Sequence, residues 1–200
     1  MGLRQVYRNT GAPEALSEDP FRFCPHCGKP LSQKVIDHRT RRFCPACGFV
    51  HFRNPAPTVT LFIVDEGRVL LGKRSANPGK GKWATPSGYI EFEEDFLTTA
   101  VREAREETGL EVVIASILNV TDSFLPPKYH FFNVYLLAQV VGGELQAGDD
   151  LDELGWFPID GPLPDMAFQE DMDLIETYRQ PPGYPGLPIG LAQTAPGSNV

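Results

Sequence analysis

Glu103, Glu106 and Glu107 stand at i, i+3 and i+4, the spacing at which side chains share one arc of an α-helix. Like charges at that spacing repel by about 0.2–0.5 kcal/mol per pair, so three of them serve stability poorly. A bound cation removes the conflict. Oxygen-only donors suit hard ions such as Mg2+ or Mn2+, which hold few protein carboxylates and leave positions for water and phosphate oxygens. The three glutamates are therefore the candidate metal ligands and catalytic groups, and the plainer reading of an isolated E-x-x-E-E run is a solvated acidic face.

A helix has to position them. From Asp95 to Glu107 there is no Gly or Pro, and Phe96, Leu97, Ala100, Val101 and Ala104 recur at helical spacing on the adjoining arc. Glu93, Glu94 and Asp95 suit the positive end of the helix dipole, and Gly109 suits its end. The whole stretch from Gly88 to Leu110 fills the pattern G-x5-E-x7-R-E-U-x-E-E-x-G-U, where U is apolar. Its fixed positions are Gly88, Glu94, Arg102, Glu103, Ala104, Glu106, Glu107, Gly109 and Leu110. This pattern resembles the signature of the Nudix hydrolases, which cut diphosphate linkages in compounds of the type nucleoside diphosphate linked to X.

The resemblance implies an α/β fold, a Nudix α/β/α sandwich with a mixed sheet, over residues 55–180. It implies that Glu103 and Glu107 are direct Mg2+ or Mn2+ ligands, with Glu106 a ligand or a base acting through metal-bound water. The carbonyl of Ser87 or Gly88 is a further ligand, and a later-loop acid among Asp149, Asp150, Asp152 and Glu153 completes the set. Helical spacing turns Arg102 away from the metal arc, so a structural salt bridge to Glu94 is expected. Glu93 and Ser87 occupy variable positions where glycine is common in the family, and neither change removes a ligand.

Cys24-Pro25-His26-Cys27 and Cys44-Pro45-Ala46-Cys47 are two C-x2-C knuckles sixteen residues apart, each followed by a glycine. Four thiolates leave no open coordination position, so the spacing predicts structural zinc. His26, His38 and His51 are spare nitrogens that the four sulfurs make unnecessary. So short a segment cannot bury enough apolar surface to fold alone, and metal binding must supply much of its folding free energy. The segment resembles the zinc ribbons that precede some Nudix catalytic domains.

At 200 residues and net charge −8, the chain has room for one moderate domain and a small module. Its charge is uneven: residues 22–53 hold seven basic side chains and one acid, Asp37. There is neither a membrane-length apolar run nor an apolar signal-peptide core, and a cytoplasmic protein is expected. Residues 1–20 read as a loose arm, 21–54 as the ribbon, and 181–200, rich in Pro and Gly, as a flexible tail. Strands are expected at Thr58–Val64 and Arg68–Arg74 around a Glu66-Gly67 turn, then at Glu111–Leu118, Phe131–Val141 and from Leu154. A second helix is expected over Asp165–Arg179.

Lys73 and Arg74 are candidates to hold phosphates. Phe52, Phe124, Tyr129 and Phe131 are candidate platforms for a base or flavin ring. Ribbon plus Nudix order resembles two groups: NADH and NAD-capped RNA pyrophosphatases, which carry a downstream SQPWPFP array, and hydrolases of ADP-ribose and FAD. Val120 to His130 reads VTDSFLPPKYH, without the array, which favours ADP-ribose or FAD as the small-molecule substrate. NAD-capped RNA is the alternative, and a non-catalytic module that binds RNA through the basic ribbon is the competing class. The resemblance also implies a homodimer.

Overall fold

The computed structural model describes residues 19–125, 129–179 and 186–188. The ribbon is a three-stranded antiparallel sheet of β1 (Ser32–Ile36), β2 (Arg39–Phe43) and β3 (Val50–His51). Asp37 and His38, both at positive φ, turn β1 into β2. Its interior is only Cys24, Leu31 and Cys44, with Phe49 against them. That core is too small to hold a fold by apolar burial, as the sequence led one to expect.

The main sheet is built from β4 (Ala56–Asp65), β5 (Arg68–Arg74), β6 (Trp83–Ala84), β7 (Ser87–Tyr89), β8 (Leu110–Leu125), β9 (Tyr129–Gly143), β10 (Leu151–Pro158) and β11 (Leu187–Pro188). Its order is β10-β5-β4-β9-β8-β11, with β6 on β5 and β7 on β4. Two helices, α1 (Phe96–Thr108) and α2 (Gln169–Arg179), cover opposite faces of this mixed sheet. The period of two explains why. Val59, Leu61 and Ile63 of β4 pack with Ala100 and Ala104 of α1, while Phe62 packs with Leu174 and Ile175 of α2. Each such fully buried side chain contributes about 1.5–3 kcal/mol, which makes β4 the spine of the domain. Among the described residues no helix is long and apolar enough to cross a membrane.

Several boundaries differ from the sequence-based ones. β8 and β9 run well past Glu111–Leu118 and Phe131–Val141. Asn119, Asp122 and Ser123 end the apolar pattern without ending the strand, because pairing continues in the neighbouring strand. Asp95 caps α1 instead of joining it, and α2 starts at Gln169 because Asp165 to Phe168 run back along Trp83, through Trp83 N–H to Asp165 O and Ala167 N–H to Trp83 O. In the stretch expected to be a tail, Leu187–Pro188 pairs with Ile117 and Ser116 of β8. The remainder of that stretch and the N-terminal arm through residue 18 lie outside the described residues. By contact the chain divides into two compact units, one containing Pro57–Asp122, the other containing the ribbon together with Ser123–Phe131.

Candidate active site and zinc cluster

The helix that carries the glutamates is set at both ends. The Asp95 carboxylate accepts from Leu97 N at 2.9 Å and Thr98 N at 2.8 Å, satisfying two of the free N–H groups of the first turn. The Thr98 N–H leads in holding that carboxyl below its usual range. At the other end Gly109 takes φ 72, the left-handed conformation that lets its N–H close on Arg105 O. With Ala100 and Ala104 against the sheet, Glu103 and Glu107 fall on the border of the buried face, at 7% and 5% exposure.

A short strand meets that border. In β7, Ser87 pairs with Thr60 and Gly88 with Val59, and Leu61 N–H donates to Pro86 O. Ser87 N–H donates to Glu107 Oε2 at 2.8 Å. Gly88 lies so close to Glu103 that a Cβ there would overlap its carboxylate, which is the physical reason for glycine at this position. Thr85, just upstream, is held from α2: Asp171 accepts from Thr85 N at 3.0 Å and from Thr85 Oγ1 at 2.9 Å, all buried.

Burial dominates the electrostatics. Desolvation pushes Glu107 up to about 8 despite the Ser87 N–H, and pushes Glu103 up as well. The charge of Asp149 adds to the rise of both. Glu153 instead pairs with Lys73 at 3.4 Å. Glu103, Glu106 and Glu107 offer oxygen donors of the kind a hard divalent ion takes, but their carboxylates rest on separate partners and do not converge on one point.

Arg102 corrects the expectation drawn from helical spacing. Its guanidinium forks onto Glu94, Nε to Oε1 at 2.8 Å and Nη2 to Oε2 at 2.9 Å, as expected. It does not turn away from the glutamates: Nη1 also donates to Glu103 Oε1 at 2.8 Å and Glu106 Oε2 at 2.9 Å. The long side chain bends over the arc that its Cα avoids. That fork holds the Glu94 carboxyl below its usual range. The three glutamates thus share an arc without meeting at a point: Glu103 and Glu106 turn to Arg102, Glu107 to Ser87.

The other proposed contacts scatter. Arg74 donates from Nε to Pro78 O at 2.6 Å and lies over Phe168, 5.2 Å from the ring centre, while its charge acts on both Glu107 and Asp171. Phe52 and Phe124 belong to the unit with the ribbon: Arg41 lies over exposed Phe52, and buried Phe124 stacks on His130 at 4.0 Å. Tyr129 stacks on Phe131 at 5.7 Å in the same unit. Sequence reasoning missed Asp171 and Thr85. The available signal was an aspartate at a core position of α2, three and four residues before Leu174 and Ile175.

In the ribbon the four cysteine sulfurs lie within 4.8 Å of one another, the only such donor group among the described residues. Cys24 and Cys47 are 3.5 Å apart, as are Cys27 and Cys44. Tetrahedral zinc with Zn–S near 2.3 Å calls for sulfurs about 3.8 Å apart, so the cluster fits the ion. Burial opposes ionisation of Cys44, yet the N–H groups of Cys47 and Ala46 bring its thiol down to about 7. Two of the three spare histidines are engaged elsewhere, His51 with Asp19 at 2.7 Å and His26 against Phe49.

Residues 54–178 match the model of the NUDIX domain, and residues 22–53 match that of the Nudix N-terminal zinc ribbon. The chain is 36% identical over 152 residues to an ADP-ribose pyrophosphatase of Methanocaldococcus jannaschii, covering 76% of this chain and 86% of that protein. It is 29% identical over 169 residues to the NAD-capped RNA hydrolase NudC of Stutzerimonas stutzeri, covering 78% of this chain but 55% of that one. The chain therefore spans about half the length of the NudC relative. A NUDIX hydrolase structure from Nitrosomonas europaea superposes with a TM-score of 0.69 at 27% identity, covering 79% of this chain and 90% of that one. On the match of its catalytic signature, its fold and its zinc ribbon, the chain belongs to the NUDIX family of pyrophosphate-bond hydrolases.

Proposed function

We propose that the chain hydrolyses the diphosphate linkage of ADP-ribose, with FAD as the nearest alternative substrate, using Mg2+ or Mn2+ held by Glu103, Glu106 and Glu107 with the carbonyl of Ser87. The observation that carries the reading is the buried Glu103–Glu107 pair against Ser87 and Gly88, two carboxylates whose burial a cation would offset. The fit of the ADP-ribose relative along most of its own length supports the substrate.

Divalent ions would neutralise the phosphate oxygens as they gain charge. In the reaction a water oxygen bonds to one phosphorus, the bridging P–O bond breaks, and the bridging oxygen leaves with its electron pair on the second phosphate. The water's proton passes to a carboxylate. Glu106, the most exposed of the three, can take it and release it to solvent. Asp149 adds charge from the facing loop, and Arg102 holds Glu103 and Glu106 in reach of the cluster. Arg74 presents a cation beside Glu107 for the substrate's phosphates. The proposal includes a cytoplasmic homodimer, which mass measurement in solution and fractionation of cells check.

Incubation of purified chain with Mg2+ or Mn2+ and ADP-ribose, FAD, NADH, nucleoside triphosphates, dinucleoside polyphosphates and NAD-capped RNA tests the reading. ADP-ribose or FAD should be cut fastest, to two phosphate monoesters. A clear preference for NADH or NAD-capped RNA would move the assignment to the NudC-like activity, and no cleavage of any diphosphate would end it.

A further inference from the structure

We propose that Asp171 of α2 is a positioning residue for the metal-binding loop, setting through Thr85 the place from which Ser87 and Gly88 meet Glu107 and Glu103. The inference rests on the carboxylate-site reading above.

The chain of contacts is short. Asp171 is 3% exposed and Thr85 also 3%. One carboxylate oxygen takes the Thr85 N–H and the other takes the Thr85 hydroxyl, so the fork fixes both the position and the rotation of that residue. Two residues later the Ser87 N–H lies on Glu107, and one more residue brings Gly88 against the Glu103 carboxylate. Pro86 between them is tied to β4 through Leu61. Across three residues of nearly extended chain, a shift at Thr85 passes to Ser87 with little slack.

A carboxylate in that place is otherwise costly. Asp171 occupies a core position among Leu174 and Ile175, where an apolar side chain would pack without desolvation. Two hydrogen bonds to one residue of the loop compensate it, and both are aimed at the strand that carries Ser87. The neighbouring backbone repeats the connection: Trp83 N–H donates to Asp165 O and Ala167 N–H to Trp83 O, at 2.9 and 2.7 Å. The segment ahead of α2 therefore grips Trp83 by two hydrogen bonds, and α2 itself grips Thr85 through Asp171. Arg74 faces Asp171 and Glu107 alike, so the two carboxylates share one electrostatic neighbourhood as well as one loop.

Asp171→Asn keeps both contacts, since the amide oxygen can accept from Thr85 N–H and the amide nitrogen can donate to its hydroxyl. Asp171→Ala removes both, and Thr85→Val removes the hydroxyl bond alone. The test measures Mn2+ affinity by electron paramagnetic resonance of free Mn2+, together with kcat and KM on ADP-ribose, for these three variants and Glu107→Gln, each with its melting curve. Loss of a supporting hydrogen bond to a metal site typically costs about 10–100-fold in affinity or activity. Asp171→Ala should weaken Mn2+ by that factor and lower kcat with little change in KM, Thr85→Val should do so by less, and Asp171→Asn should stay within about threefold of the original. Asp171→Ala or Thr85→Val that folds and binds Mn2+ as tightly as the original would overturn the inference, as would Asp171→Asn failing as badly as Asp171→Ala. If Asp171→Ala does not fold, Thr85→Val and Asp171→Asn decide alone. Glu107→Gln separates the two proposals: its retaining Mn2+ and activity would sink the carboxylate reading itself.

Discussion

The four cysteines and the three glutamates of α1 are the two donor sets proposed for metal, and the chain treats them in opposite ways. In the ribbon four sulfurs already converge on one point. On α1 three carboxylates share an arc but are drawn to separate partners, two to Arg102 and one to Ser87. The ribbon has almost no apolar core, so converged thiolates are its fold. The glutamate helix is held by β4 and the sheet whatever its carboxylates do. A site that the fold does not need can rest its carboxylates on separate polar partners and keep coordination positions for substrate.

The sharpest way to break this contrast is to remove zinc. Apparent zinc binding energies of about 10–16 kcal/mol in small zinc domains imply that a strong chelator unfolds the ribbon while the NUDIX unit keeps its sheet. Hydrogen exchange should show loss of protection over residues 22–53 and retention in β4 and α1. Equal loss in both units would mean that the ribbon's metal also holds the larger domain. Next in size, Glu103→Gln should reduce ADP-ribose cleavage by about 10^3-fold, the several kcal/mol that metal-assisted charge stabilisation supplies, with no fall in melting temperature. A melting temperature that falls with activity would make Glu103 structural, like the cysteines.

Smaller effects probe the partners. Arg102→Ala frees Glu94, Glu103 and Glu106 at once, so activity should fall about tenfold and melting by a few degrees. Because Arg102 depresses Glu94, the stabilisation is full above the ordinary glutamate range and is lost as pH falls through the lower value of Glu94. The gap in melting temperature between original and variant should therefore close on acidification, and a gap constant with pH would contradict the pairing. The smallest effect is expected from Asp171→Asn. Burial lifts Asp171 to about 6, so its ionised form weighs against the folded state above that pH. The variant should melt a few degrees higher at pH 8, with the gain fading as pH falls from about 6 toward about 4.

How much of this was legible in the sequence depended on distance along the chain. α1, its cap at Gly109, the Glu94–Arg102 bridge and the thiolate cluster all rest on contacts of a few residues or on a fixed spacing, and each follows from periodicity or motif. Helical spacing does not reveal the contacts of Arg102 with Glu103 and Glu106, because it places a Cα, whereas a guanidinium reaches several ångströms past it. The influence of Asp149 was hidden because only the folded loop brings its charge toward Glu103 and Glu107. Asp171 lies 86 residues from Thr85, and no local pattern links them. The lengths of β8 and β9 were hidden for the same reason: polar residues in a paired strand look like a loop until the partner is known.

The proposed division of labour gives the ion used in diphosphate cleavage to the carboxylates of α1 and not to the thiolates. It is tested most directly by titrating zinc-loaded protein with Mn2+ and following ADP-ribose cleavage in the same samples, for the original chain and for Glu107→Gln. The expected result is that Glu107→Gln keeps its zinc and melts no lower than the original, since burial already weighs against the ionised Glu107, but loses Mn2+ binding and about 10^3-fold of the cleavage rate. A Glu107→Gln protein that cleaves ADP-ribose with the original's Mn2+ dependence would contradict it.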